Sequence, residues 1–318
     1  MKSMENASRK DSLPNVSVKN SWIVNEDNYF SRIDKFLRNV LKNVPLSAIY
    51  KLIRTGKVYL NERRVKEPSV KIEIGDRVEI RNEDLSKYTR EYKEIKPVKM
   101  NLDIIFEDEN IIAINKPAGV SVHPGKNVHK PSLIEGLKHY GTAKGFEPFL
   151  VHRLDKETSG VMIVVKSRQV AREISELISS RDVEKNYVAL VFGSPKSTTI
   201  DIPIDDQEAV THIRPVRQFT TKLEGKDISL TLLDVNIETG RKHQIRKHLS
   251  MKGFPIVCDN DYGDFRLNRA FSKKYGLKRH FLHCKEMAFD FHGKHYRFEA
   301  PLSQDLKVVL KLLEAEGD

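Results

Sequence analysis

His152-Arg153-Leu154-Asp155-Lys156-Glu157-Thr158-Ser159-Gly160 runs directly into Val161-Met162-Ile163-Val164-Val165. A short apolar run of this kind, bounded by a glycine, reads as a strand covered on both faces. The polar stretch before it is then a loop feeding a rigid sheet, where catalytic groups concentrate. Asp155 is its candidate nucleophile or base. The same residues also fit a charged turn in which Asp155 caps the chain and Arg153 pairs with it.

Outward from this stretch, strands and helices are interspersed. Ile104–Phe106 and Ile111–Ile114 read as strands paired around a turn at 107–110. Ser167 caps a helix carrying Val170, Ile174, Leu177 and Ile178 on one side. Tyr187–Phe192 and the alternating Ile228–Ile237 are strands, and Gly240 turns the latter into a helix from about His243 to Met251. Gln304–Glu316 places Leu306, Val309, Leu310 and Leu313 on one helical stripe. The order is neither a regular strand–helix alternation nor separate blocks. It predicts an α+β fold over 100–318, with a large mixed, mainly antiparallel sheet and flanking helices.

A second cluster stands at Gly240-Arg241-Lys242-His243-Gln244-Ile245-Arg246-Lys247-His248. Cations at a helix start suit phosphate binding. One of these arginines could also hold a catalytic carboxylate ionised, and a solvated basic face remains the plain alternative. His243 and His248, five apart, fall on different faces, so ordinary hydrogen bonding is expected of each. The chain has no Gly-x-x-x-x-Gly-Lys, Gly-x-Gly-x-x-Gly or His-Glu-x-x-His. Chemistry without a bound cofactor or metal is therefore expected.

The other end of the chain is marked by charge. The 318 residues carry a formal net charge of +11, with a pI near 9.4. Ten Lys and Arg against two acids fall between Tyr29 and Lys66. A patch so concentrated points to a polyanion such as nucleic acid. Ile33, Phe36, Leu37, Val40 and Leu41 predict one helix, and Ile49, Leu52 and Ile53 a second that stops at Gly56. Val58–Leu60 and Val65 form a hairpin, Val70, Ile72 and Ile74 alternate, and Val78 with Ile80 closes a last strand. The small α/β module spans 29–82, after a disordered tail at 1–28 and before a charged linker at 83–99. Arg32, Lys35, Arg38, Lys51 and Arg54 lie mostly off its apolar stripes.

Cys258 and Cys284 form no paired Cys-x-x-Cys, which favours a reducing compartment over a disulfide scaffold. No signal peptide or membrane-length apolar run is visible. A cytoplasmic monomer is expected.

Together these motifs resemble the RluA-type pseudouridine synthases. The resemblance rests on His152–Gly160 and four further segments in the family's order: Ile114-Asn115-Lys116-Pro117-Ala118-Gly119-Val120 with His123-Pro124-Gly125; Glu184-Lys185-Asn186-Tyr187; Gly240–Arg246; and Phe281-Leu282-His283. The basic module is similar to the alpha-L RNA-binding motif. Asp259-Asn260-Asp261-Tyr262-Gly263-Asp264 and the residues to Phe281 look most like the RluC branch, which acts on large-subunit (23S) ribosomal RNA. Lys242, Lys247 and Cys284 depart from the family's more frequent Thr, Val and Ala. The resemblance implies isomerisation of uridine to pseudouridine without a cofactor, with Asp155 as the catalytic carboxylate. It further implies that Arg153 displaces the target base, Tyr187 stacks on it, Arg246 pairs with Asp155 and Leu282 lines the pocket. Lys57, Arg241 and Lys242 join the helical cations of the module as expected RNA contacts.

Overall fold

The computed structural model describes residues 20–26, 28–88, 95–125 and 130–317, and the chain divides into two compact units, 1–94 and 95–318. In the first, β1 (Ser21–Ile23), α1 (Ile33–Val40), α2 (Leu46–Arg54), β2 (Val58–Leu60), β3 (Arg63–Val65) and β4 (Arg77–Ile80) follow one another, and the sheet order is β1-β4-β2-β3. The apolar stripes read from the sequence make its core, with Ile33, Phe36, Leu37, Ile49, Ile53, Val58 and Val78 wholly buried. The hairpin turn is made by Asn61 and Glu62, both with positive φ.

Two expectations are corrected here. Of the tail expected over 1–28, residues 1–19 lie outside the described residues, but Ser21–Ile23 pairs antiparallel with Arg77–Glu79 as an edge strand. Val24 is buried and Trp22 packs on the same core, so a three-residue strand too short for any periodicity is held by tertiary contact. Val70–Ile74, in contrast, joins no ladder beyond a single bridge between Arg32 and Lys71, and Ile74 is exposed. Alternation over so few residues does not suffice to make a strand. Within the expected linker, residues 89–94 lie outside the described residues, Leu85 is buried in the first unit's core, and the Val98 amide donates to Glu135 in the second unit.

The second unit is α+β. Its elements are β5 (Ile104–Glu107), β6 (Ile111–Lys116), α3 (Leu133–Lys144), β7 (Phe149–Leu150), β8 (Ser159–Val165), α4 (Arg168–Ser180), β9 (Glu184–Phe192), β10 (Thr198–Asp201), β11 (Val210–Leu223), β12 (Lys226–Ile237), α5 (Gln244–Met251), α6 (Phe265–Tyr275), β13 (Leu282–Phe291), β14 (Lys294–Glu299) and α7 (Gln304–Gly317). A ten-stranded sheet runs β10-β11-β12-β9-β13-β8-β6-β5, with β14 on β13 and β7 on β8. Its strand pairings are antiparallel except for β8 with β13, which is parallel. Val161–Val165 are all fully buried in the middle of this sheet, which accounts for their unbroken apolar run. Each such side chain contributes roughly 1.5–3 kcal/mol, a stiff base for the loop before it. Among the described residues, no helix is long and apolar enough to cross a membrane.

Candidate active site

The loop from His152 to Ser159 is fixed from below by its own polar residues. The His152 ring accepts the Ile163 amide at 2.7 Å, Thr158 bonds His280 at 2.8 Å, and Ser159 bonds His283 at 2.9 Å. Two buried cations clamp its backbone. Lys116 donates to the carbonyls of Pro117, Val120 and Lys156, and Arg279 donates to that of Glu157 while its other nitrogens hold Asp305. Burial pulls the Lys116 ammonium down to about 7, although three carbonyls meet its three donors. Gly160 has φ +115°, and a Cβ there would lie 2.0 Å from the Cys284 carbonyl. Only glycine permits β8 to come so close to β13, and Asp155 before β8 and Leu282 at the start of β13 line the same pocket.

Arg153 and Asp155 are left to face the cleft. The Thr158 amide bonds the backbone carbonyl of Asp155, not its side chain, and no ion pair joins Arg153 to Asp155 among the described residues. The charged-turn reading is therefore not what the chain adopts. Asp155 Oδ2 instead lies 3.3 Å from Arg246 Nη1, and its side chain keeps 20% exposure.

Arg246 is positioned by a second set of carboxylates. Asp259, fully buried, accepts from Arg246 Nε and Nη2 at 2.7 Å each, and Asp261 accepts from Nη2 at 2.6 Å. This paired fork leaves Nη1 aimed at Asp155. Burial opposes charge on both partners. The hydrogen bonds between them nevertheless hold Asp259 below the usual carboxylate range and raise Arg246 further above its own. Asp259 also takes the amides of Asp261 and Tyr262, and the Tyr262 ring lies 5.1 Å from the Arg246 guanidinium.

The start of α5 supplies the opposite wall. Gln244 bonds Thr239, the Arg241 amide and the Val210 carbonyl, and so pins the helix to β11. His243, at φ +56°, puts Nε2 3.7 Å from Asp155 and Nδ1 2.9 Å from the Tyr262 hydroxyl. Burial outweighs the attraction of Asp155 and lowers the pKa of His243, which favours the neutral ring. Arg153, Asp155, Tyr187, Arg246 and Leu282 line one pocket of about 160 Å³, and Arg241 and Lys242 edge it. Tyr187 is 7% exposed. Burial, then its contact with Cys284, pushes its phenol pKa well up.

Nearly all of this chain compares with enzymes named for the modification of RNA. It is 35% identical over 326 residues to the ribosomal large subunit pseudouridine synthase C of Salmonella typhi, covering 97% of this chain and 100% of that protein. This chain belongs to the RNA pseudouridylate synthase family. The enzyme of the same name in Escherichia coli K12 is 35% identical over 322 residues, 96% of this chain and 98% of that one. The RNA pseudouridylate synthase family model matches residues 110–251 of the synthase, and an S4 domain model matches 31–78. A solved structure, human RNA pseudouridylate synthase domain containing 4, aligns with a TM-score of 0.54 at 27% identity, covering 66% of this chain and 92% of that chain.

In this synthase all five residues expected at the uridine pocket come together. The cations expected to hold RNA divide. Lys35, Arg38, Lys51 and Arg54 are exposed in the S4 unit, whereas Arg32 is engaged by Asp34 at 3.0 Å and Lys57 by the Asn82 carbonyl at 3.1 Å. Arg241 Nε donates to the Glu208 carbonyl. The residues that sequence reasoning gave no role are Asp259, Asp261, Tyr262, Lys116 and Arg279. Lys116 and the Asp259–Tyr262 stretch stood inside motifs that carried the resemblance. Only their contacts show what they do.

Proposed function

We propose that this synthase converts particular uridines of large-subunit ribosomal RNA to pseudouridine, as a cytoplasmic monomer, with Asp155 as its catalytic carboxylate. The observation that carries this reading is that Asp155 is the one carboxylate lining the pocket among the described residues, held by an arginine that is itself locked in place. The reaction breaks the bond between uracil N1 and the ribose, rotates the base and rejoins it through C5. It adds and removes no atoms, and the pocket supplies what it needs: Asp155 at the reacting centre, Arg246 opposite its charge, Tyr187 and Leu282 as an apolar bed for the uracil. Arg153, exposed at the mouth, is free to fill the space that the flipped nucleotide leaves, and flipping itself costs a few kcal/mol. The substrate follows from the names of the full-length relatives and from the exposed cations of the S4 unit, including Lys35, Arg38, Lys51 and Arg54.

A hydrolase would need a second carboxylate roughly 5–9.5 Å across the scissile bond. Glu157 does not line the pocket, its side chain pairs with Lys156 at 3.8 Å, and Asp259 is consumed by Arg246. A binder without chemistry would have no use for a locked Arg246. The test maps pseudouridine across ribosomal RNA with and without the gene, alongside purified Asp155→Asn. Loss of defined large-subunit sites and an inactive variant that still binds RNA are expected. Normal turnover by Asp155→Asn, or release of free uracil, would overturn the reading.

A further inference from the structure

α6 presents to solvent a face that the uridine pocket does not use. Asn268, Phe271 and Tyr275 turn inward, while Phe265, Arg266, Arg269 and Lys273 fall within about 100° on the opposite side. Phe265 is 76% exposed, more than any other large apolar side chain described. The helix carries Arg266, Arg269, Lys273 and Lys274 with no acid among its eleven residues. Arg266 and Lys274 are paired, to Glu224 and Glu316. Arg269, Lys273 and the nearby Lys278 lie within ion-pair range of no carboxylate among the described residues. Arg269 and Lys273 are i,i+4 neighbours of like charge, a placement that weakens a helix on its own. Grooves of about 650 Å³ and 250 Å³ flank the helix, and Phe265 and Arg269 line both.

We propose that this face of α6 is a second RNA-contacting surface, on which Arg269, Lys273 and Lys278 take backbone phosphates and Phe265 takes the face of an unpaired base. Unpaired cations beside an exposed ring are the combination that grips single-stranded nucleic acid: the charge tracks the backbone and the ring accepts any base. The face is tied to the chemistry by a short loop. Asp264 caps α6 through the Leu267 amide at 2.9 Å, and three residues earlier Asp261 holds Arg246. The start of this face therefore stands a few residues along the chain from the carboxylates that hold Arg246. The surface deepens the proposed function, since it rests on RNA as substrate.

The full chain carrying Arg269→Gln with Lys273→Gln, and separately Phe265→Ala, tests it against a transcript of large-subunit ribosomal RNA. Binding is followed across salt in an Asp155→Asn background, and kcat and KM with Asp155 intact. The double variant is expected to bind about tenfold more weakly at low salt and to flatten the slope of log K against log salt by about 1.4–1.8, the share of two phosphates. Phe265→Ala is expected to weaken binding about tenfold with the slope unchanged, and kcat should hold in both. Affinity and slope equal to the parent in both variants would overturn the surface and leave the face to a protein partner or to solvent. Because the binding arm needs no turnover, it judges α6 even if the parent makes no pseudouridine, an outcome that would sink the proposed function instead.

Discussion

Asp155 is the carboxylate proposed to carry the chemistry, yet Asp259 decides whether Asp155 has a partner. A guanidinium beside a lone carboxylate can swing. One held by a buried bidentate acid cannot, and 3.3 Å to Asp155 becomes a fixed distance. Asp259→Asn keeps the shape and removes the charge, so it should lower kcat on the order of a hundredfold through misplacement of Arg246, with KM little changed. Asp259→Ala leaves a buried cation under-compensated and should cost roughly 3 kcal/mol in stability. Steady-state kinetics with chemical unfolding separates the two effects; an unchanged kcat in Asp259→Asn would remove the positioning role. Asp155 could be singled out in the sequence because it stands in a dense polar stretch beside a buried strand. Asp259 could not be given a role, since an aspartate in an Asp-Asn-Asp-Tyr loop looks like an ordinary turn until its partner, 13 residues back in sequence, is seen across the fold.

At the scale of elements, the loop that carries Asp155 is a polar segment tied to β8 and β13 by histidines that must stay neutral. Burial lowers His152 to about 4 and His280 to about 3 from 6.5. His152 accepts a backbone amide, so protonation would set a donor against a donor. The folded pKa is below the unfolded one, so this stabilisation is fully present above pH 6.5 and drains away as pH falls from 6.5 through 4. For His152 it amounts to something on the order of 3 kcal/mol. Thermal unfolding followed from pH 7 to pH 4 should show a falling midpoint across that window, and a flat profile would contradict it. The strand at Val161–Val165 and the helices at 168–180 and 244–251 were readable because burial and period leave a mark in a local window. β1 was not, because three residues owe their strand to a pairing with Arg77–Glu79.

For the whole molecule, charge is the property that reaches furthest. Residues 29–66 alone contribute +8 beside a net +11 for the chain, and within that stretch exposed Lys51 and Arg54 carry no ion pair among the described residues, while Arg32 is already neutralised by Asp34. Counterion release makes such contacts salt-dependent, about 0.7–0.9 in slope for each phosphate held. Lys51→Gln with Arg54→Gln should therefore flatten the salt dependence of RNA binding by about 1.4–1.8 and leave kcat unchanged, whereas Arg32→Gln should do less. Filter binding over a salt series reads both, and an unchanged slope in the double variant would exclude these cations from the RNA contact.

The sequence by itself determined the α+β class and the family, and it marked Asp155 as the candidate carboxylate. Apolar periodicity, a basic patch and five motifs in order are local records, legible one window at a time. Tertiary structure alone decided how that carboxylate is held. Asp155 meets Arg246 from 91 residues away, Gly160 must pass the Cys284 carbonyl, and Lys116 and Arg279 clamp the loop from two other parts of the chain. Such contacts follow from strand order and from the one parallel pairing in the large sheet. No spacing along the chain records them, because their energy depends on which distant groups share a buried site.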